Sequence, residues 1–145
     1  LTDWYQKNVG EDFMKLRKEL MTILVEENSL MEIVRLIGSD VLPDDQKLTI
    51  EIARVIRVGF LQQNAMHETD TYVPMKKQYG MMKVILHLYE KCEEIVARQI
   101  PLSRITATGL FEKLIKMKYD VPNNKPEMLE DYIKDIDAQT AALLR

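Results

Sequence analysis

Apolar residues recur along this chain at intervals of three and four positions, and the few prolines and glycines fall between these runs. Such spacing is typical of amphipathic α-helices that bury one face. We predict that the first run, 11–37, forms two helices joined near Asn28-Ser29, because short polar side chains favour helix caps. Gly38 should end the run, since glycine tolerates the left-handed conformation found after many helices. Its apolar positions are Phe13, Leu16, Leu20, Ile23, Leu24, Leu30, Ile33, Val34 and Ile37.

The second run should begin at Pro43, because proline is tolerated in the first turn and the two following acids lie at the positive end of the helix dipole. We expect it to extend to about Gln63. Residues 64–73 carry no helical stripe and predict a loop, after which Pro74 restarts a helix. The apolar seam of that helix consists of Met75, Tyr79, Met82, Ile85, Tyr89, Cys92 and Val96.

The remaining chain predicts a helix over 102–119 that contains Gly109, a turn-rich connector over 120–126, and a last helix from about Glu127. No repeat of 20 to 50 residues is evident, which argues against a solenoid. The fold class predicted is all-α, an irregular bundle of about five to seven helices. We expect one domain over 1–145, in which 11–100 form the main bundle and 101–145 pack on it. The last helix should bury Leu129, Tyr132, Ile133, Ile136, Thr140 and Leu143.

The composition excludes several classes of protein. The chain has 145 residues, 46% of them hydrophobic, which is enough for a core without disulfides or metals. With 20 Lys plus Arg against 23 Asp plus Glu, it lacks the basic surface that nucleic acid requires. The longest stretch without Asp, Glu, Lys or Arg is Val58–His67, about half of the ~20 residues of a membrane span. A single Cys indicates a cytoplasmic protein, and a first residue other than Met leads us to expect a piece of a longer one.

Few residues offer catalytic chemistry. Cys92 lies on an apolar seam and is predicted to be a buried, unreactive thiol. His67 stands beside Glu68 and Asp70, but one His does not supply the three or four converging ligands of a zinc site, so we predict no metal. The scattered glycines form no phosphate-binding loop. The amides of Gln62-Gln63-Asn64 are either solvated or face a polar ligand, because burying them without partners would be costly.

One ordered block of the sequence resembles a known family. The block contains GSDVLPDDQKLT at 38–49, IARVIR at 52–57 and FLQQNA at 60–65, and it continues through ETDTY at 68–72 and KQY at 77–79. It is similar to the C-terminal helical domain of the catalytic A (alpha) subunit of archaeal-type A/V-type rotary ATP synthases. The similarity is densest from Met31 to Tyr89 and becomes vague after Pro122.

The resemblance implies a coupling domain, which links ATP synthesis or hydrolysis in the parent subunit to rotation of the central stalk and to ion (proton) transport. It implies partners in the B subunit of the head and the rotor stalk, and a cytoplasmic location peripheral to the membrane. An exposed acidic loop can steer contact with a basic coiled coil, although the same acids would also cap a helix. The rotor contact implied by the resemblance comprises Asp40, Val41, Leu42, Pro43, Asp44, Asp45 and Gln46.

The resemblance also places the stretch after the second helix against the adenine end of a bound nucleotide. Met66 stands where the family has an aromatic residue, so a thioether would pack on the purine where a ring would stack. Gly59 stands where the family usually has an acid, and we expect it to remove a charge from the helix surface. ATP or ADP with Mg²⁺ would be held by the preceding domain of the parent enzyme, and no cofactor or catalytic residue is expected here. The implied adenine contacts are Phe60, Gln63, Asn64, Ala65 and Met66.

Two other functions remain open from the residues alone. A free-standing helical adaptor could bind partner helices in a groove, and a small helical metal enzyme could use His67, Glu68 and Asp70. The gene sequence upstream of Leu1 separates the first from a coupling domain, since an adaptor would have a start codon there. Bound metal that is lost in His67→Ala would support the second.

The isolated chain should fold as a helical monomer and bind ATP weakly or not at all, because the resemblance places the phosphate-binding loop in a preceding domain. It should therefore be inactive as an ATPase by itself. Titration calorimetry of the purified chain with Mg·ATP measures this. A dissociation constant in the micromolar range would contradict the prediction.

Overall fold

A computed structural model describes residues 2–62 and 72–145, with side chains from residue 11 onward. These residues contain helices, turns and loops and no strand, which confirms the all-α prediction. Two short 3₁₀ turns, Ser39–Val41 and Pro126–Met128, precede α2 and α6. The helices are α1 Thr2–Ile37, α2 Asp44–Arg54 with a π-helical continuation Val55–Leu61 (the π segment), α3 Met75–Ala97, α4 Leu102–Thr106, α5 Leu110–Asp120 and α6 Leu129–Leu144.

The first helix is continuous over 36 residues, so the predicted joint near Asn28-Ser29 is wrong. Both polar residues are exposed, whereas Ile23 and Leu30 are buried seven positions apart, which is about two helical turns. The same face of the helix is therefore buried before and after Asn28-Ser29, and the helix continues without a break. Gly38 ends the helix as predicted, with φ at 88°.

The second helix begins at Asp44, one residue after Pro43, and continues through the π segment almost to the predicted end. The Gln62 amide donates to the carbonyl of Arg57, five residues back, at 2.8 Å. The π-helical winding was not predicted, because the apolar residues of Val55–Leu61 form a nearly continuous run without a helical period. Arg57 binds Glu27 of α1 through two hydrogen bonds of 3.0 and 2.6 Å, which fixes this segment on α1.

The third helix lies at the centre and is buried on two faces. The predicted seam is confirmed at Tyr79, Met82, Ile85 and Cys92, but Met75 is exposed at the first helical position. A second set of buried side chains was not predicted: Lys77, Met81, Val84, Leu88 and Ile95. One apolar core joins α3 to all the other helices.

The chain after α3 forms two helices where one was predicted. Gly109 adopts a left-handed conformation with φ at 79°, which an uninterrupted helix does not accommodate. The Thr108 hydroxyl accepts the amide of Leu110 at 3.2 Å and so caps the start of α5. The last helix buries Leu129, Tyr132, Ile136 and Thr140 on one side, as predicted.

Gly59 does not lie on the helix surface, so the expectation of a missing surface charge is wrong. A Cβ at this position would lie 2.9 Å from Ile115 Cα and 3.1 Å from the Leu114 carbonyl oxygen of α5. The π segment thus packs directly on the backbone of α5, and an acidic side chain has no space there.

Gly59→Ala should destabilise the domain by about 1–3 kcal/mol, because the new methyl group meets backbone atoms that cannot rotate away. Gly80→Ala is the matched control, since its Cβ would lie 2.6 Å from Leu129 Cδ1, a side-chain atom that can move, and in ordinary contact with the Cβ and Cγ of the same residue. We expect that control to cost less than about 1 kcal/mol, because a side chain can change rotamer. Urea unfolding followed by circular dichroism measures both, and equal costs would contradict the backbone contact.

Candidate functional site

The turn between α1 and α2 carries the residues of the implied rotor contact. Asp40 and Pro43 are exposed, Gln46 is half-buried and Leu42 is buried in the bundle. Apolar side chains at the end of α1 and in the turn face solvent. This apolar tip consists of Leu36, 84% exposed, Ile37, 63%, and Val41, 53%.

The three acids of this turn have different surroundings. Asp40 and Asp45 are exposed, as predicted, whereas Asp44 is half-buried. Its Oδ2 accepts the backbone amide of Leu102 at 2.9 Å, so Asp44 caps α4. The alternative that these acids cap a helix therefore holds for Asp44, although the helix is a distant one in the sequence. Asp40 and Asp45 remain available for contact with another molecule.

A polar cleft adjoins this turn, between the start of α2 and the end of α3. Glu26, Asp44, Asp45, Tyr89 and Glu93 are among the residues that line it. Burial, followed by the charges of two neighbouring glutamates, raises the pKa of Glu93. Burial also raises the pKa of Tyr89, whose hydroxyl lies 3.0 Å from the Thr49 hydroxyl. The cleft adds negative charge beside the exposed acids.

The implied adenine contacts follow α2 in the sequence, one in the π segment and four after it. Phe60 is buried within the π segment, where it belongs to the core. Gln63, Asn64, Ala65 and Met66 lie outside the described residues, and the same holds for His67, Glu68 and Asp70. Within the described ranges, no group of three or more His, Cys, Asp or Glu side chains could hold a metal ion.

A buried polar network flanks the end of the π segment. Lys77 is fully buried and donates to the carbonyls of Lys118 and Val121, the latter at 2.6 Å, and to Asn123 Oδ1 at 2.9 Å. Asn123 Nδ2 donates to the Tyr72 carbonyl at 2.8 Å. Sequence reasoning missed this network. A signal was present, because Lys77 lies in phase with the second buried stripe of α3.

The helix formed by α2 and the π segment runs beside α4 and α5 in the same direction. Contacts join residues at a nearly constant separation along the chain: Asp44 with Leu102 and Arg54 with Glu112, both 58 apart, and Lys118 with Gln62, 56 apart. The Arg54–Glu112 ion pair measures 2.7 Å, and its hydrogen bond raises the pKa of Arg54. We call these elements the paired helices: α2 with the π segment on one side, and α4 with α5 on the other. The three links and the Gly59 contact join the two sides from the turn to Gln62.

The remaining polar groups fit structural roles. Cys92 is buried, and burial raises the pKa of its thiol to about 12, so the thiol stays protonated at neutral pH, as predicted for an unreactive cysteine. His87 Nε2 lies 2.6 Å from Asp137 Oδ1 and links α3 to α6. Among the described helices, none is long and apolar enough to cross a bilayer.

Asp44→Ala should lower the free energy of unfolding by about 0.5–2 kcal/mol, because the first amide of α4 loses its acceptor. Asp40→Ala, in the same turn, removes an exposed carboxylate and should change stability by less than about 0.5 kcal/mol. Chemical denaturation of the two variants measures the difference. Equal stabilities would show that the hydrogen bond between Asp44 and Leu102 contributes nothing.

Comparison with known proteins places this arrangement in a family. The profile described as the C-terminal domain of V and A type ATP synthase matches residues 2–105. The V-type ATP synthase alpha chain 2 of Clostridium tetani is 54% identical over 123 residues, which are 85% of this chain and 21% of that protein. The V-type ATP synthase alpha chain of Halothermothrix orenii is 44% identical over 137 residues, 94% of this chain and 23% of that protein. An A-type ATP synthase subunit of Methanopyrus kandleri is 43% identical over 142 residues, 97% of this chain and 24% of that protein. This chain, which spans less than a quarter of the length of these relatives, therefore belongs to the family of C-terminal domains of V- and A-type ATP synthases.

Proposed function

We propose that the chain is the C-terminal coupling domain of the catalytic subunit of a rotary A/V-type ATP synthase. In this role it links ATP synthesis or hydrolysis to rotation of a central stalk and to ion transport. ATP or ADP with Mg²⁺ is bound mainly by the rest of the subunit, so the chain itself supplies no phosphate chemistry. The complex would hold it in the cytoplasm, peripheral to the membrane.

The paired helices are the observation that carries this proposal. They start at the turn implied to contact the rotor and end at Gln62, between Phe60 and the other residues implied to contact adenine. The 11 residues of α2 and the 7 of the π segment give a length of roughly 25 Å at the rise of a helix. The π segment and α5 are close-packed and would move largely as one body, so a push transmitted along α2 could reach the nucleotide end.

The surface of the turn suits contact with a rotating stalk. Asp40 and Asp45 supply charge that steers a basic partner, while the apolar tip supplies area that loses water on contact. Asp44 contributes less to this surface, because its carboxylate is already bound to α4. A mostly apolar contact with a few steering charges can slide from one rotor position to the next without breaking strong ion pairs.

The adenine end of the nucleotide would be contacted by Phe60, Gln63, Asn64, Ala65 and Met66. Phe60 would contribute indirectly, because its buried side chain supports the end of the π segment from within the core. The thioether of Met66 would pack against the purine by dispersion. The other main partner is the B subunit of the head, which would lie across the nucleotide site.

Asp40→Lys combined with Asp45→Lys, in the assembled complex, should lower the ion transport achieved per ATP hydrolysed by at least about twofold, because reversed charge repels a basic stalk. Asp44 is left intact, since its loss would also remove the cap of α4. The readout is ion transport in vesicles divided by the rate of ATP hydrolysis.

The control is Glu130→Lys combined with Asp131→Lys, which makes the same change of charge on the exposed side of α6. It should leave the transport ratio within about 20% of the wild type, because distant surface charges are screened. A ratio that is unchanged in the turn variant would contradict the rotor contact.

A further inference from the structure

One carboxylate lies within the buried stripe of α1. Glu27 is 8% exposed and lies in phase with its apolar neighbours, four positions after Ile23 and three before Leu30. An apolar residue is expected at such a position, because the cost of taking a charge out of water often exceeds its attraction to a partner. A buried charge that adds little stability points to a role in positioning.

The partner of Glu27 is Arg57 in the π segment. Its Nε donates to Glu27 Oε1 at 3.0 Å and its Nη2 donates to Oε2 at 2.6 Å, so the two groups meet through a pair of hydrogen bonds. Such a two-point contact fixes orientation as well as distance. The backbone of Arg57 is engaged too, because its carbonyl accepts the amide of Gln62 at 2.8 Å where the π segment ends. Glu27 thus holds the residue on which the end of the π segment depends.

This ion pair closes a helical hairpin that has the turn as its tip. One arm is the last part of α1, from Glu27 to Ile37, and the other is α2 with the start of the π segment, from Asp44 to Arg57. The two arms pack against each other. Glu27 lies ten residues before the end of α1, which is about 15 Å at the rise of a helix. The ion pair is therefore at the end of the hairpin that is remote from the turn.

We propose that Glu27 and Arg57 are positioning residues for coupling, and that their ion pair makes the π segment follow a displacement of α1. The inference rests on the proposed function, which places the rotor at the turn and the adenine end of the nucleotide at the π segment. It adds a second path between these two places. One path runs along α2, and the other runs back along α1 and crosses to the π segment through the ion pair.

The π segment is held from another side by α5. Gly59, two residues after Arg57 and so roughly half a turn further round the helix, packs on the backbone of Ile115 and Leu114. A π-helical winding is rare and occurs most often at functional sites, where surrounding contacts maintain it. Here those contacts come from α1 through a charged pair and from α5 through its backbone. A segment held between two elements is displaced when either of them moves.

The test is Glu27→Met combined with Arg57→Met in the catalytic subunit of the assembled complex. Removing both charges leaves no unpaired buried carboxylate, so the melting temperature of the complex should stay within about 3 °C of the wild type. The backbone amides of 58–62 should exchange with solvent at least about fivefold faster, because the ion pair no longer holds the π segment. Ion transport per ATP hydrolysed should fall by at least about twofold, while the rate of hydrolysis stays within about twofold.

The matched control is Lys113→Met combined with Asp135→Met. Lys113 Nζ binds Asp135 Oδ2 at 2.8 Å, so this variant loses an ion pair between α5 and α6 in the same way. The pair touches neither α1 nor the π segment. The control should leave the exchange of 58–62 within about twofold and the transport ratio within about 20% of the wild type. A purely structural role of the Glu27–Arg57 pair would make the two double variants behave alike, and that result would overturn the inference.

The turn variant, Asp40→Lys with Asp45→Lys, separates failure of this inference from failure of the proposed function. A transport ratio that falls in the turn variant but not in Glu27→Met with Arg57→Met would overturn the inference and leave the proposed function standing. Unchanged ratios in both variants would overturn both. Unchanged exchange of 58–62 would also overturn the inference, because the ion pair would then not hold the π segment.

Discussion

The close approach of the π segment to the backbone of α5 is the constraint on which the rest of the site depends. Because Gly59 has no side chain, the two backbones approach so closely that a Cβ at this position would lie 2.9 Å from Ile115 Cα. At that separation Arg54 reaches Glu112 and Lys118 reaches the Gln62 carbonyl. The absence of a side chain at Gly59 therefore brings the partners of both hydrogen bonds within reach. The π winding and the glycine together allow the π segment to pack directly on the backbone of α5.

The sequence predicted the course of the helices because burial along each helix repeats with a fixed period. It could not predict contacts whose partners lie far apart in the chain. The acid at Asp44 reads as a cap for α2, yet its carboxylate caps α4, 58 residues away. Gly59 reads as a missing charge only when the residue is placed on a helix surface. Lys77 was overlooked because a lysine within an apolar stripe is usually assumed to be solvated, and its acceptors are backbone carbonyls that no pattern of side chains reveals.

The resemblance and the structure support the proposed function through different features. The resemblance concerns the turn before α2 and the implied adenine contacts at the end of the π segment and after it. The structure adds what lies between them and beside them: α4 and α5 run beside α2 and the π segment, and the buried ammonium of Lys77 lies at the far end. Side chains such as Lys77 and Lys118 would not be identified as functional by their chemistry, since they donate hydrogen bonds to backbone carbonyls. In the proposed function their contribution would be mechanical, because they join elements that are far apart in the sequence.

The first helix is uninterrupted and ends directly before the turn, so a small change in its tilt displaces the turn by a large distance. Its 36 residues correspond to about 54 Å at 1.5 Å per residue. If the helix pivots at its amino-terminal end, a tilt of only about 5° displaces the apolar tip by roughly 5 Å, a full helical pitch. A hinge near Asn28-Ser29 would have absorbed that angle close to the turn. In the proposed coupling role, the unbroken helix would transmit a small sideways push at the turn as torque on the whole bundle.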